Sequence, residues 1–168
     1  GIDYRGVLYA GLMLTDRGPE VLEFNCRFGD PETQALLPRL QSDLLELLWT
    51  AARGESLPAA AEWSKGPAVG VVMASGGYPG STSKGDPIIG LERAWAVNGV
   101  EVFHAGTRRG PDRRLVTAGG RVLTVTGLGD TFAQARARAY EGVAAISFTG
   151  EQHRTDIALR AEEWEARR

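Results

Sequence analysis

The sequence is poor in the residues that staple small domains or bind soft metals. It has one cysteine, Cys26, and two histidines, His104 and His153. One thiol makes neither an intrachain disulfide framework nor a cysteine-rich zinc site, and a reducing compartment is the natural expectation. No apolar run approaches the roughly 20 residues of a membrane-spanning helix. The N-terminus shows none of the charged, apolar and small-residue regions of a secretory signal. Neither sign of charge predominates by more than two, since 19 Lys and Arg stand against 21 Asp and Glu for a net charge of −2. That balance supplies no global field for nucleic acid or an anionic membrane, so neither is an expected partner. An initiating methionine is also missing. The chain opens Gly1-Ile2-Asp3-Tyr4, almost directly on an apolar run, which reads as the middle of a larger protein.

Apolar residues make up 43% of the 168 and charged residues 24%, which excludes a disordered acidic or basic tail. Glycine is the outlier at 22 residues, near double the usual share of about 7%. No collagen-like period explains it, so turns and close backbone approaches are expected.

Residues 4–14 are apolar and partly β-branched or aromatic, and read as a buried strand. Turn formers at 15–20 lead to a second strand, Val21–Cys26, that pairs back as a hairpin. Asp30-Pro31-Glu32-Thr33 predicts a helix start with Asp30 as N-cap and Pro31 at the first helical position. Leu36, Leu37, Leu40, Leu44, Leu47 and Leu48 then predict one helix to about Arg53, stopped by Gly54. The Ala-, Pro- and Ser-rich stretch Ser56–Gly66 marks a boundary. Beyond it, strands are predicted at Ala68–Ala74, Val100–Ala105 and Arg121–Thr126, with a glycine-rich loop at Gly76–Gly85 and a basic turn at Arg108–Arg114. Asp130 or Thr131 caps a helix whose apolar side carries Phe132, Ala135, Ala139, Tyr140, Val143 and Ile146, and a last helix covers about Ile157–Arg168. Strands and helices without regular βαβ alternation predict an α+β fold.

On the second strand, alternation puts Glu23 and Asn25 on one face and Leu22, Phe24 and Cys26 on the other. A carboxylate and an amide oxygen are hard donors of the kind magnesium takes sparingly, completing its shell with water and phosphate oxygens. The same two residues also fit the plain solvated face of a hairpin. Arg27 offers a planar guanidinium for a carboxylate or phosphate, and Gly29-Asp30 leads into a helix N-terminus suited to anions. Cys26 is expected as an inert core thiol, His104 as a core or edge histidine, and His153 as a loop residue without a partner. The arginine turn reads as a solvated hairpin tip. The loop Gly76–Gly85 reads as a positive-φ turn, and Ser83-Lys84-Gly85 lacks the order of a Walker A loop.

Taken whole, Glu23-Phe24-Asn25-Cys26-Arg27-Phe28-Gly29-Asp30-Pro31-Glu32-Thr33-Gln34 resembles the signature of the glycinamide ribonucleotide synthetase family. This family of phosphoribosylamine–glycine ligases belongs to the ATP-grasp enzymes. The E-x-N-x-R core is similar to that of many ATP-grasp enzymes, and F-G-D-P-E-x-Q is the family's own continuation. Ala74–Gly80, Val102–Thr107 and Gly119–Leu123 are similar to later segments of the family, so the resemblance runs through essentially the whole chain. Thr82, and the segment His153-Arg154-Thr155-Asp156-Ile157-Ala158, depart from it.

The resemblance implies that residues 1–60 form the C-terminal part of an ATP-grasp domain. Residues 61–168 would then be a small strand-rich C-terminal domain, similar to a rudiment single hybrid motif. It implies Glu23 and Asn25 as ligands of Mg2+ (or Mn2+), Arg27 as catalytic and substrate-binding, and Gly29 and Asp30 as substrate-binding. It implies ATP, glycine and 5-phosphoribosylamine as substrates in de novo purine biosynthesis, a cytoplasmic location, and a further N-terminal portion of the same enzyme as partner. The 168 residues alone are expected to be inactive as a ligase. Two other readings compete: a different ATP-grasp carboxylate–amine ligase, and a non-catalytic binding or assembly module that kept the fold.

Overall fold

A computed structural model describes residue 1 and residues 3–168, which divide into two compact units. The first comprises 1–33 and 40–64, and the second 34–39 and 65–168.

In the first unit, strands β1 (Tyr9–Thr15) and β2 (Gly18–Asn25) form an antiparallel hairpin around Asp16-Arg17, as the turn formers predict. Its register runs Tyr9↔Asn25, Ala10↔Phe24, Gly11↔Glu23, then slips at Gly11/Leu12 so that Leu12 meets Val21. Leu22 is the extra residue of this bulge. The strands are not buried, contrary to expectation. Among them only Gly11 is buried, and Leu14 (81% exposed), Leu22 and Phe24 face outward. Two strands form a ribbon with two open faces, so apolar composition alone does not bury it. Cys26 is likewise exposed rather than in a core. β2 ends at Asn25, and strand alternation no longer fixes which way Cys26 points.

The single leucine-rich helix is not formed either. A short α1 (Glu32–Leu36) begins after Pro31, which lies in a turn rather than at the first helical position. A 3-10 turn, Leu37–Arg39, follows, and α2 (Leu44–Arg53) starts afresh. Pro38 lacks an N–H and clashes with the preceding turn, which breaks the run. Asp43 restarts it, its side chain accepting from the Glu46 amide at 3.1 Å. Gly54 does end the helix, in the left-handed conformation at φ 70°.

The second unit is built on a three-stranded antiparallel sheet in the order β3 (Ala68–Ala74), β7 (Arg121–Leu128), β4 (Val100–His104). A minor hairpin pairs β5 (Thr107–Arg109) with β6 (Leu115–Thr117) across the basic turn. A short helix, α3 (Leu91–Trp95), precedes β4 and has no counterpart in the sequence reading. The long helix α4 (Phe132–Ala145) is capped by Thr131, whose hydroxyl accepts from the Gln134 amide at 3.1 Å. The Gln134 side chain returns the bond to the Asp130 amide at 2.7 Å. The last helix, α5 (Leu159–Glu165), is shorter than predicted.

Helix α4 lies on β3 and β7. Val71, Met73, Leu123, Val125, Ala135 and Ala139 are buried between them, with Val143 beside them. Fully burying an aliphatic side chain contributes roughly 1.5–3 kcal/mol, so this layer is the main source of the unit's stability. Gly127 sets its spacing, because a Cβ there would lie 2.1 Å from the Ala135 carbonyl oxygen. The opposite sheet face receives Gln34–Arg39, where the Thr126 hydroxyl donates to the Gln34 carbonyl at 2.9 Å. Among the described residues, no helix is long and apolar enough to cross a membrane.

Candidate functional site

The hairpin register places Tyr9 and Gly11 directly opposite Asn25 and Glu23, so all four share one face. Gly11 makes the fit close, because a Cβ there would come within 3.1 Å of the Glu23 Cγ and the Glu23 stem would have to shift to admit it. The missing side chain leaves room for the Glu23 stem to lie across the strand. Asn25 Nδ2 donates to Glu23 Oε1 at 2.9 Å, which joins the expected pair of donors directly. With the amide nitrogen so engaged, Asn25 Oδ1 and Glu23 Oε2 are the oxygens placed to hold a cation.

Glu32 completes this cluster from the start of α1. Its side chain folds back over Gly29, where a Cβ would lie 2.6 Å from Glu32 Oε2. Gly29 is therefore a space requirement, with its backbone buried and its carbonyl taken up by Thr33. That carbonyl accepts from the Thr33 amide at 3.2 Å and from the Thr33 hydroxyl at 2.5 Å. Tyr9 reports the gathering of charge. Its hydroxyl pKa is held above the ordinary 10.0, first by partial removal from water, then by the Glu32 carboxylate, which also accepts its hydrogen bond. Glu23 adds to the rise, and Arg27 opposes it.

Arg27 is exposed just past β2 and donates through Nη1 to the Phe28 carbonyl at 2.8 Å. Asp30 is exposed as well. The helix that follows is only five residues long, so the dipole at Gly29-Asp30 is smaller than the long predicted helix would give. Tyr9, Gly11 and Glu32 were not singled out in the sequence as part of this site. The signal for the first two was strand pairing, which needs the bulge position to be read correctly. For Glu32 it was the small residue three positions earlier.

The chemistry of this set is specific. A carboxylate and a side-chain amide joined by a 2.9 Å hydrogen bond bring two hard oxygen donors to one face, the kind of set that suits an oxygen-seeking cation arriving with waters or phosphate oxygens. Among the described residues, no group of three or more His, Cys, Asp or Glu side chains forms an all-protein metal cage.

Elsewhere, His104 is exposed at the end of edge strand β4, 3.2 Å from the Thr107 hydroxyl. His153 does have a partner, Glu151, at 2.6 Å. The loop 76–85 is a positive-φ turn at Gly77 and Gly85, as expected. The buried Ser75 anchors its start, its hydroxyl donating to the Gly119 carbonyl at 2.9 Å.

Two family models match this chain: the C domain of phosphoribosylglycinamide synthetase over residues 68–160, and the ATP-grasp (A) domain of the same synthetase over residues 1–33. A phosphoribosylamine–glycine ligase from Nostoc sp. is 54% identical over 164 residues, covering 95% of this chain and 38% of the relative. The trifunctional purine biosynthetic protein adenosine-3 of Gallus gallus is 53% identical over 162 residues, covering 96% of this chain and 16% of that protein. The chain thus spans well under half the length of these relatives. Among solved structures, phosphoribosylamine–glycine ligase from Thermotoga maritima superposes with a TM-score of 0.72 at 37% identity, covering 89% of this chain and 36% of the other. N5-carboxyaminoimidazole ribonucleotide synthetase from the same organism shares the fold, with a TM-score of 0.62 at 18% identity over 86% of this chain and 37% of the other.

Proposed function

The chain belongs to the phosphoribosylglycinamide synthetase family, and from that premise we propose that it supplies one wall of the site of an ATP-dependent phosphoribosylamine–glycine ligase. The reaction would be ATP + glycine + 5-phosphoribosylamine giving ADP, phosphate and glycinamide ribonucleotide, carried out in the cytoplasm. The observation that carries the reading is the bonded pair Glu23–Asn25 at the end of β2, followed just past the strand by Arg27. Residues 1–60 would complete an ATP-grasp domain, and residues 61–168 would form the C-terminal domain.

A carboxylate is a poor electrophile, so the ligase must first convert glycine to an acyl phosphate, which the amine of phosphoribosylamine then attacks. Phosphoryl transfer of this kind depends on positioning and charge neutralisation. Glu23 and Asn25 would hold Mg2+ (or Mn2+), whose positive charge would offset the negative charge of the ATP phosphates. Arg27 would bind the glycine carboxylate and the negative charge that develops on it, its planar fork matching two oxygens. The backbone at Gly29-Asp30 would lie against the same substrate. Tyr9 and Glu32 would act as positioning residues, fixing the face on which Glu23 stands.

Mixing the chain with the upstream portion of a relative tests this reading. Glycine-dependent ADP release by the mixture, and none by the 168 residues alone, is the expected outcome. Turnover by the chain alone would overturn the expectation of inactivity. A folded mixture that stays silent would favour a binding or assembly module instead.

A further inference from the structure

The second unit holds a cavity of about 490 Å3 that the proposed ligase chemistry does not use. Its size falls within the range of small-molecule sites, roughly 300–1,000 Å3. Pro87, Ile88, Ile89, Leu91 and Leu115 make an aliphatic floor. Trp95 and His104 close one side as a tilted ring pair with centroids 6.4 Å apart. Arg109 at the end of β5 and Arg114 just before β6 add two guanidinium groups to the lining, and Glu92 is the carboxylate among the lining residues.

This cavity is built, not incidental. Ile88 donates to the Leu115 carbonyl at 2.9 Å, and Ile89 exchanges backbone bonds with Ser147, both at 3.0 Å. Gly90 then turns the chain at φ 89°, where a Cβ would sit 1.9 Å from the Ala145 carbonyl oxygen. The floor is thus held from two sides while Ile89 and Trp95 remain 59% and 50% exposed. The basic wall is fixed by its own turn. Gly110 donates to the Arg114 carbonyl at 2.8 Å, Arg113 takes a left-handed φ of 64°, and Asp112 Oδ1 accepts from the Arg114 amide at 3.1 Å. Arg109 spends one donor on the Arg113 carbonyl at 3.1 Å. Arg114 has a loose, exposed ion pair with Asp112 at 3.4 Å. A guanidinium has five N–H donors, so both arginines keep capacity for an incoming anion.

We propose that this cavity binds a planar aromatic anion, its ring against Trp95 and the aliphatic floor and its charge toward Arg109 and Arg114. An aromatic phosphate and an aromatic carboxylate share that chemistry, since both offer oxygens to a guanidinium fork. A neutral ring lacks the charge, and a bare inorganic anion lacks the apolar body.

The test titrates the intact 168-residue chain with phenyl phosphate and with indole-3-acetate, following the Trp95 indole and the Ile88 and Leu115 methyl signals by NMR. Phenol, indole-3-acetamide and inorganic phosphate are the controls. Saturation of these signals by at least one of the two anions is expected, with the neutral rings about tenfold weaker or more for want of a charge-assisted contact, and inorganic phosphate about tenfold weaker or more for want of the buried apolar ring. Saturation by phenyl phosphate alone marks a phosphate site, and by indole-3-acetate alone a carboxylate site. The Arg109→Ala/Arg114→Ala pair should erase the advantage of anion over neutral ring, and Trp95→Ala should weaken both. All three side chains are exposed, so these variants keep the fold. The proposal fails if neither anion saturates the signals up to about 10 mM, a limit weaker than any useful small-molecule site. It also fails if the neutral analogues bind as well, or if the shifts persist unchanged in the arginine double variant.

Discussion

The hairpin of the first unit and the sheet of the second are both short antiparallel structures, yet they treat apolar side chains in opposite ways. β3 and β7 bury Val71, Met73, Leu123 and Val125 completely under α4. β1 and β2 leave Leu12, Leu14, Leu22 and Phe24 more than half exposed, and bury only a glycine. The difference is one of layers. A sheet covered by a helix turns hydrophobic composition into stability, while a two-stranded ribbon holds its residues in register without it. Register is what holds Glu23 and Asn25 on one face and within their hydrogen bond. The second unit thus carries the fold, and the first carries the candidate chemistry.

Mutations should separate these roles. Leu123→Ala empties a site with no solvent exposure and should cost about 3 kcal/mol, read as a lower urea midpoint by circular dichroism. Asp43→Ala removes the side-chain cap of α2 and should cost about 1 kcal/mol, detected as faster amide exchange across Leu44–Leu47. Phe24→Ala, on a side chain 61% exposed, should change stability by no more than about 0.5 kcal/mol in the same urea series. A Phe24 effect as large as that of Leu123 would break the comparison, because it would require a covered hairpin face. The smallest effect is spectroscopic. Alkaline titration should find the Tyr9 phenol ionising above its ordinary 10.0, and Glu32→Gln should bring it back down by removing the adjacent negative charge. Since the folded-state value is the raised one, the Tyr9 contribution is complete below the ordinary value. It fades as pH climbs through the folded-state value.

The sequence made some of this legible and hid the rest for physical reasons. Ala68–Ala74 was readable to the residue, and side-chain chemistry narrowed the α4 cap to Asp130 or Thr131, of which Thr131 is the cap. That Glu23 and Asn25 share a face was readable because strand alternation is local. The broken helix was signalled too, by Pro38 and by Asp43 ahead of Glu46, but leucine periodicity masked both. Burial of the hairpin was not legible, since apolar composition does not say what covers a strand. Nor was the cavity beside Trp95, whose walls come from α3, β4 and the β5–β6 hairpin. Sequence reading placed its arginines only on a solvated turn. The Tyr9–Glu32 contact needed the bulge between Gly11 and Leu12, which shifts the register without any composition signal.

One measurement bears most directly on the division of roles. In a ligase reconstituted from this chain and the upstream portion of a relative, Glu23→Ala should lower glycine-dependent ADP release by about 100-fold or more, because the cation that would offset the phosphate charge loses its carboxylate ligand. The urea midpoint of the variant chain should stay where it was. Near-normal turnover, or a loss of activity matched by loss of the fold, would contradict the account.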